Sequence, residues 1–93
     1  MRGAGLRVAE YRLTIKPSAA KELERLAEPV ASRVEAKIAG LANDPRPAGV
    51  KKLKGDLALW RIRIGDYRVI YSIDDRTDIV DVVRVRHRSK GYD

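Results

Sequence analysis

The segment from Trp60 to Tyr71 restricts the fold of this chain more than any other, because it predicts a β-hairpin. On both sides of Gly65-Asp66, apolar residues alternate with polar ones, as they do in two half-buried strands. A two-residue linker with glycine first favours a type II′ turn, which fixes the register of the two arms. Trp60 then lies opposite Tyr71, and the hairpin has one apolar and one polar face.

Arginines occupy the polar face of this hairpin. Arg61, Arg63 and Arg68 share it, and the predicted register places Arg63 directly opposite Arg68. Like charges that face each other on a sheet destabilise it by roughly a few tenths of a kcal/mol, so folding gives no reason for this arrangement. A polyanionic partner does, and we expect this face to bind one. The apolar face is expected to be core and consists of Trp60, Ile62, Ile64, Tyr67, Val69 and Tyr71.

The other elements are predicted from periodicity and from helix and strand boundaries. A first strand is expected over residues 6–15 and a last strand over residues 79–87. Between the first strand and the hairpin, the spacing predicts one helix with Ser18 as its N-cap, continuing to residue 28, and a second helix that begins at Pro29. The buried side of the second helix is expected to contain Val30, Val34, Ile38 and Leu41.

The order of elements, β-α-α-β-β-β, predicts an α+β fold. We expect a four-stranded antiparallel sheet with the two N-terminal helices packed on one of its faces. The 93 residues suit one domain, spanning residues 1–93. The chain has no cysteine, which favours a reducing compartment, and no segment approaches the roughly 20 apolar residues of a membrane span. A cytoplasmic protein without membrane contact is therefore expected.

The pairing of the last strand decides how many arginines converge. If Asp74 faces Asp78, then Arg68 faces Arg84, and Arg86 lies near the Gly65 end of the hairpin. A shift of one residue would move Arg84 and Arg86 to the apolar face, where unpaired charges are very costly. This register therefore predicts that five arginines share one face, namely Arg61, Arg63, Arg68, Arg84 and Arg86.

The charge of the chain is also concentrated toward the C-terminal half. The net charge is +7, and residues 46–93 carry twelve basic and seven acidic side chains, a net of +5. Nucleic acid or an acidic protein is the partner that such a distribution favours. Lys51, Lys52 and Lys54, which precede the hairpin, are candidate contacts to RNA, although lysines also occur on solvated surfaces without any such role.

Three segments together resemble the RelE-type toxins of the RelE/ParE superfamily. They are Lys52-Leu53-Lys54-Gly55, Gly65-Asp66-Tyr67-Arg68-Val69-Ile70-Tyr71, and Val85-Arg86-His87-Arg88 followed by Tyr92. The resemblance covers nearly the whole chain and implies the β-α-α-β-β-β fold. It also implies a toxin that cuts messenger RNA in the A site of the 70S ribosome and is inhibited by a RelB-like antitoxin.

The resemblance also assigns site residues. Arg68 matches the arginine that acts on the scissile phosphate, Arg86 the arginine after the last strand, Tyr92 a tyrosine near the C-terminus, and His87 a histidine of several branches. Arg61 and Arg63 stand where the best-known RelE has a Lys-x-Lys pair, which leaves the general base open. No metal or other cofactor is implied. The residues expected to bind RNA or the ribosome are Lys51, Lys52, Lys54, Arg84 and Arg88.

RNA cleavage by the neighbouring 2′-hydroxyl needs a proton acceptor, positive charge on the phosphate and a proton donor. Arginine supplies the charge but is a poor base, because it stays protonated. His87 and Tyr92 remain for proton transfer, with a structural His87 and a surface-packed Tyr92 as alternatives. A ParE-like inhibitor of DNA gyrase, or a nuclease-dead relative that binds only its antitoxin or RNA, would need no such groups.

Overall fold

A computed structural model describes residues 10–55 and 58–90 of the chain. Its elements, in chain order, are strand β1 (Arg12–Ile15), helix α1 (Pro17–Glu24), helix α2 (Val30–Gly40), strand β2 (Lys51–Lys52), strand β3 (Leu59–Ile64), strand β4 (Tyr67–Asp74), strand β5 (Ile79–His87) and a 3₁₀ turn (Arg88–Lys90). The α+β fold class is confirmed.

The sheet differs from the expected one in strand number and in the direction of one strand. Its order is β1-β5-β4-β3-β2, with β1 parallel to β5 and every other pair antiparallel. The prediction of four antiparallel strands was wrong on both points. The two helices connect β1 to the far side of the sheet, so no turn forces β1 to run against its neighbour. The fifth strand is the two-residue Lys51–Lys52, in a segment that was expected only to lead into the hairpin.

The central hairpin has the predicted register. Trp60 pairs with Tyr71, Arg63 with Arg68 and Ile64 with Tyr67. Gly65 has a φ of +59°, which is the left-handed conformation that the first position of a type II′ turn requires. The local turn alone therefore sets which side chains of β3 and β4 share a face.

The register between β4 and β5 was predicted wrongly. Asp74 pairs with Ile79 rather than facing Asp78, because the turn spans four residues and places Asp78 at a φ of +59°. The Asp74 carboxylate stabilises this turn by accepting a hydrogen bond from the backbone N–H of Arg76 at 2.9 Å. That hydrogen bond is the main cause of the lowered pKa of Asp74.

A β-bulge in β5 compensates for the longer turn. Tyr71 pairs with Val82 and Ile70 with Arg84, which leaves Val83 as the extra residue. The turn and the bulge each shift the register by one residue, so Arg84 and Arg86 still point away from the helices. Arg68 consequently faces Arg86, not Arg84 as predicted.

The helices begin and end at other residues than expected. α1 has Lys16 at its N-cap and ends at Glu24, and the Ser18 hydroxyl donates to the carbonyl oxygen of Val83 at 3.4 Å instead of capping the helix. Pro29 is the N-cap of α2 rather than its first residue. The predicted first strand is shorter, since the part of residues 6–15 that the structure describes is a strand only from Arg12. Residues 6–9 lie outside the described part of the chain.

The core lies between the helices and one face of the sheet. Residues from α2 and its C-terminal end, Val34, Ile38 and Leu41, are buried against the apolar face of the hairpin, where Ile62, Val69 and Tyr71 are buried as well. Trp60, Ile64 and Tyr67 pack partly buried around this cluster. Within residues 10–55 and 58–90, no helix has the length and apolar character needed to cross a membrane.

Candidate functional site

The face of the sheet opposite the helices is basic near the Gly65 turn. Cross-strand pairing places six basic residues on it, and we refer to them as the basic face: Lys51, Arg61, Arg63, Arg68, Arg84 and Arg86. Three of them form a continuous line across three strands, because Arg63 pairs with Arg68 and Arg68 pairs with Arg86. We call this line the arginine row.

Neighbours in the arginine row stand at cross-strand spacing, about 4.5–5.5 Å between Cβ atoms. Arg68 is its centre, with one arginine on each side. Three arginines paired in this way carry forked N–H donors that match phosphate oxygens. The row can therefore stabilise the charge of one phosphate from several directions.

A second line of pairs runs beside the arginine row. Lys51 pairs with Arg61, Arg61 with Ile70, and Ile70 with Arg84. Ile70 is fully buried although it faces away from the helices, and Arg61 is only 8% exposed. The Nε atoms of Arg61 and Arg84 are buried too, so the stems of these side chains pack along the sheet instead of extending into solvent. Such packing fixes the direction of a long side chain.

Helix α1 contributes a carboxylate to one end of the arginine row. Glu22 Oε2 lies 3.4 Å from Nη2 of Arg84 and 3.9 Å from Nε of Arg86, while Oε1 accepts a hydrogen bond from the backbone N–H of Val85 at 2.7 Å. Sequence reasoning missed Glu22. Its spacing of four residues from Ser18 places both on one side of α1, but only the tertiary structure shows that this side meets β5.

The three lysines expected to bind RNA lie in different environments. Lys51 is on the basic face beside Arg61. Lys52 points to the other face, where its Nζ lies 5.7 Å from the centroid of the Trp60 ring, and the Arg46 guanidinium lies 5.0 Å from the same centroid. Lys54 is exposed in the loop after β2. Only Lys51 therefore continues the basic face.

His87 lies on the helix side of the sheet, away from Arg86, as alternation along β5 predicts. Its ring meets Tyr67 edge to face, with 5.2 Å between the centroids. Nδ1 lies 3.1 Å from the backbone nitrogen of Ser89 and 2.8 Å from the Ser89 hydroxyl oxygen, so Ser89 holds this side of the ring. His87 and Tyr67 also line a shallow cavity of about 300 Å³ between the hairpin turn and the start of α2.

The two remaining candidates belong to the C-terminal end of the chain. Arg88 follows β5, and its backbone N–H donates to the carbonyl oxygen of Asp66 at 2.7 Å, while its Nε lies 3.6 Å from Oδ1 of Asp66. This contact holds the end of β5 against the hairpin turn. Tyr92 lies outside the described residues, and its predicted role stays a prediction.

No group of histidine, aspartate and glutamate side chains suited to hold a metal ion occurs in the part of the chain that the structure describes. Among the described residues, the charged groups beside the arginine row include further guanidiniums and the Glu22 carboxylate. They suit the binding of an anionic ligand through hydrogen bonds and charge.

A helix pair on one face of a small sheet, with a basic opposite face, defines a small α+β protein whose basic face is suited to an anionic partner. Residues 13–92 match the family described as the ParE toxin of the type II toxin–antitoxin system parDE. The chain belongs to the RelE/ParE superfamily of type II toxin–antitoxin toxins, and it is of the RelE type.

Individual relatives support the RelE type. Toxin RelE of Mycobacterium tuberculosis is 40% identical over 84 residues, which are 88% of this chain and 86% of the relative. The archaeal RelE in the RelE–RelB complex from Pyrococcus horikoshii has a TM-score of 0.77 and 32% identity, covering 88% of this chain and 99% of that chain. The toxin–antitoxin complex RelBE2 from M. tuberculosis gives a TM-score of 0.74 and 31% identity, covering 85% and 99%.

Proposed function

We propose that this toxin is a ribosome-dependent endoribonuclease that cuts messenger RNA in the A site and so inhibits translation in the cytoplasm. The observation that carries the proposal is the arginine row, in which Arg63, Arg68 and Arg86 pair directly across three strands. Like charges directly opposite on a sheet destabilise it, and a bound anion would offset that repulsion. A phosphate of the RNA backbone is the anion whose oxygens fit forked guanidinium donors.

In the proposed reaction, the 2′-oxygen of one ribose forms a bond to the adjacent phosphorus, and the bond from that phosphorus to the 5′-oxygen of the next nucleotide breaks. A base takes the proton of the 2′-hydroxyl, and an acid protonates the leaving 5′-oxygen. Arg68, at the centre of the row, stabilises the charge of the pentavalent phosphate, with Arg63 and Arg86 on either side. Arg61, which is buried beside the row, adds positive charge to this cluster.

Proton transfer is assigned to residues at the C-terminal end of the chain. Tyr92 is the proposed group at the 2′-hydroxyl or stacked on a base. His87 lies on the helix side of the sheet in contact with Tyr67, so a role in proton transfer requires that the RNA reach around the end of β5. Because arginine cannot act as the base, the ribosome must orient the RNA for attack, and we expect naked RNA to be cut poorly.

The proposed partners are the 70S ribosome with its message, and a RelB-like antitoxin. Lys51, Lys54, Arg84 and Arg88 are proposed to contact RNA of the ribosome or the message. An acidic or amphipathic antitoxin segment is expected to cover the basic face, in line with the relatives that are solved as RelE–RelB and RelBE2 complexes.

The test is primer extension on translating ribosomes, run with the wild-type toxin and with Arg68→Ala. New ends at A-site codons with the wild-type protein, and none with the variant, are expected. The same message without ribosomes serves as the control. Equal cleavage of naked and ribosome-bound message would contradict the proposal.

The match to the family described as the ParE toxin favours one second candidate, inhibition of DNA gyrase by binding. Such a toxin would not need the arginine row to contact a scissile phosphate. A supercoiling assay with purified gyrase, run beside the primer extension, separates the two. Inhibited supercoiling with an intact message would make the gyrase inhibitor the better assignment.

A further inference from the structure

The Glu22 carboxylate spans three consecutive residues of β5. One oxygen accepts the backbone N–H of Val85, and the other lies within 4 Å of the guanidinium groups of Arg84 and Arg86. The side chain of Glu22 is 22% exposed, so its ion pairs with the two guanidiniums lie in a partly desolvated environment. A single carboxylate therefore faces two of the arginines that share the basic face.

The position of Glu22 is set by the backbone rather than by the arginines. β1 pairs with β5 only as far as Val82, and beyond that residue side chains of α1 meet the outer edge of β5. Ser18 donates to the carbonyl oxygen of Val83, and Glu22 accepts from the N–H of Val85. The 2.7 Å bond to the main chain is shorter than the contacts with the guanidiniums, at 3.4 and 3.9 Å, and anchors the carboxylate.

Arg86 has a like charge as its cross-strand neighbour, since it pairs with Arg68. Repulsion between the two guanidiniums directs Arg86 away from Arg68, and a counter-charge on the far side attracts it in the same direction. Glu22 lies on that other side, next to Nε of Arg86. At 3.9 Å this contact is an ion pair rather than a hydrogen bond, and it attracts the Arg86 guanidinium toward Glu22.

We propose that Glu22 is a positioning residue, which holds Arg86 and Arg84 in the orientation needed for the scissile phosphate. This inference rests on the proposed nuclease function. Glu22 touches no RNA in this role and acts through the arginines. The orientation of Arg86 in the free protein is a property that can be measured even if the nuclease function is wrong.

The test compares Glu22→Gln with Glu24→Gln. Glutamine keeps an oxygen that can accept the Val85 N–H but removes the charge, so the fold is preserved while the attraction to the arginines is lost. Glu24 is an exposed residue of the same helix, and its substitution changes the net charge equally. Any effect of net charge on RNA association therefore appears in both variants.

The first readout is the side-chain Nε–Hε NMR signals of Arg84 and Arg86 in the free protein. We expect these signals to shift and their solvent exchange to accelerate in Glu22→Gln, and to stay unchanged in Glu24→Gln. Unchanged signals in Glu22→Gln would overturn the positioning role, whatever the activity of the toxin.

The second readout is single-turnover cleavage of ribosome-bound message. Glu22→Gln should lower the rate at saturating toxin by about 10- to 100-fold, with little change in the half-saturating concentration, because a misdirected group affects the chemical step more than binding. A wild-type rate for Glu22→Gln would refute the inference. A wild-type toxin that cuts nothing would refute the nuclease function instead, and the NMR signals would still decide the orientation.

Discussion

Arg68 and Arg86 are direct cross-strand partners on β4 and β5, and their pairing completes a row that begins at Arg63. The pairing depends on two irregular features, a four-residue turn and a bulge at Val83. The centre of the proposed site therefore consists of residues from two strands, which the turn and the bulge bring into alignment.

Arg68→Ala should lower the cleavage rate by about 100- to 1,000-fold, the usual effect of removing one donor that stabilises transition-state charge. The melting temperature should change little, because the loss of packing along the partly exposed side chain is offset by relief of repulsion from Arg63 and Arg86. Single-turnover cleavage and thermal melts check both. Arg76→Ala, in the exposed β4–β5 turn, is the matched control and should cut normally. An unfolded Arg68→Ala protein would contradict the prediction.

Binding to ribosomes should weaken steeply with salt, because basic groups on phosphates release condensed counterions. Arg63 is exposed on the basic face, and Arg63→Ala should lower the slope of log affinity against log salt concentration by about 1. Fluorescence titration of labelled toxin with ribosomes at several salt concentrations measures the slope. A slope for Arg63→Ala equal to that of the wild type would show that this arginine contacts no phosphate.

Ile62→Ala should reduce the free energy of unfolding by about 2–5 kcal/mol, because Ile62 is 3% exposed in the centre of the core. Ile15→Ala removes the same atoms from a side chain of a residue that is 42% exposed and should cost much less. Urea denaturation of both variants measures the difference. Activity per folded molecule should be unchanged in each, and a loss of activity in fully folded Ile62→Ala would place that side chain in the site.

Tyr71 should make the protein sensitive to alkaline pH. Burial raises its pKa to about 12, and its hydroxyl donates to the carbonyl oxygen of Pro45 at 2.7 Å. A tyrosine in the unfolded chain ionises near pH 10. The unfolded state therefore loses this proton first, and the stability that Tyr71 contributes is lost as the pH rises from about 10 to about 12.

Urea denaturation across that pH range checks this prediction. Tyr71→Phe should be less stable at neutral pH, by about 1–3 kcal/mol, because the Pro45 carbonyl loses its donor. Its further loss of stability above pH 10 should be smaller than that of the wild type. Equal alkaline losses in the two proteins would assign the effect to other tyrosines.

Local sequence signals predicted the hairpin and the core face of α2 well. The two-residue turn at Gly65 fixes its own register, and Val34, Ile38 and Leu41 repeat at helical spacing. The prediction of the β4–β5 register failed because the stability of the turn between these strands depends on the Asp74 side chain, which the alternation of residues does not reveal. The direction of β1 and the contact of Glu22 with β5 depend on how distant segments meet, and no local pattern encodes that.

The bulge at Val83 separates β5 into two stretches of opposite phase. The stretch from Ile79 to Val82 serves the core and β1, while the stretch from Arg84 to His87 serves the basic face and the end of the hairpin. The number of residues in β5 therefore determines which of its side chains lie on each face of the sheet. Inserting one residue between Val83 and Arg84, with the bulge unchanged, would keep every charged side chain yet place Arg84 and Arg86 on the helix side of the sheet, a defect that no scan of single substitutions would reveal.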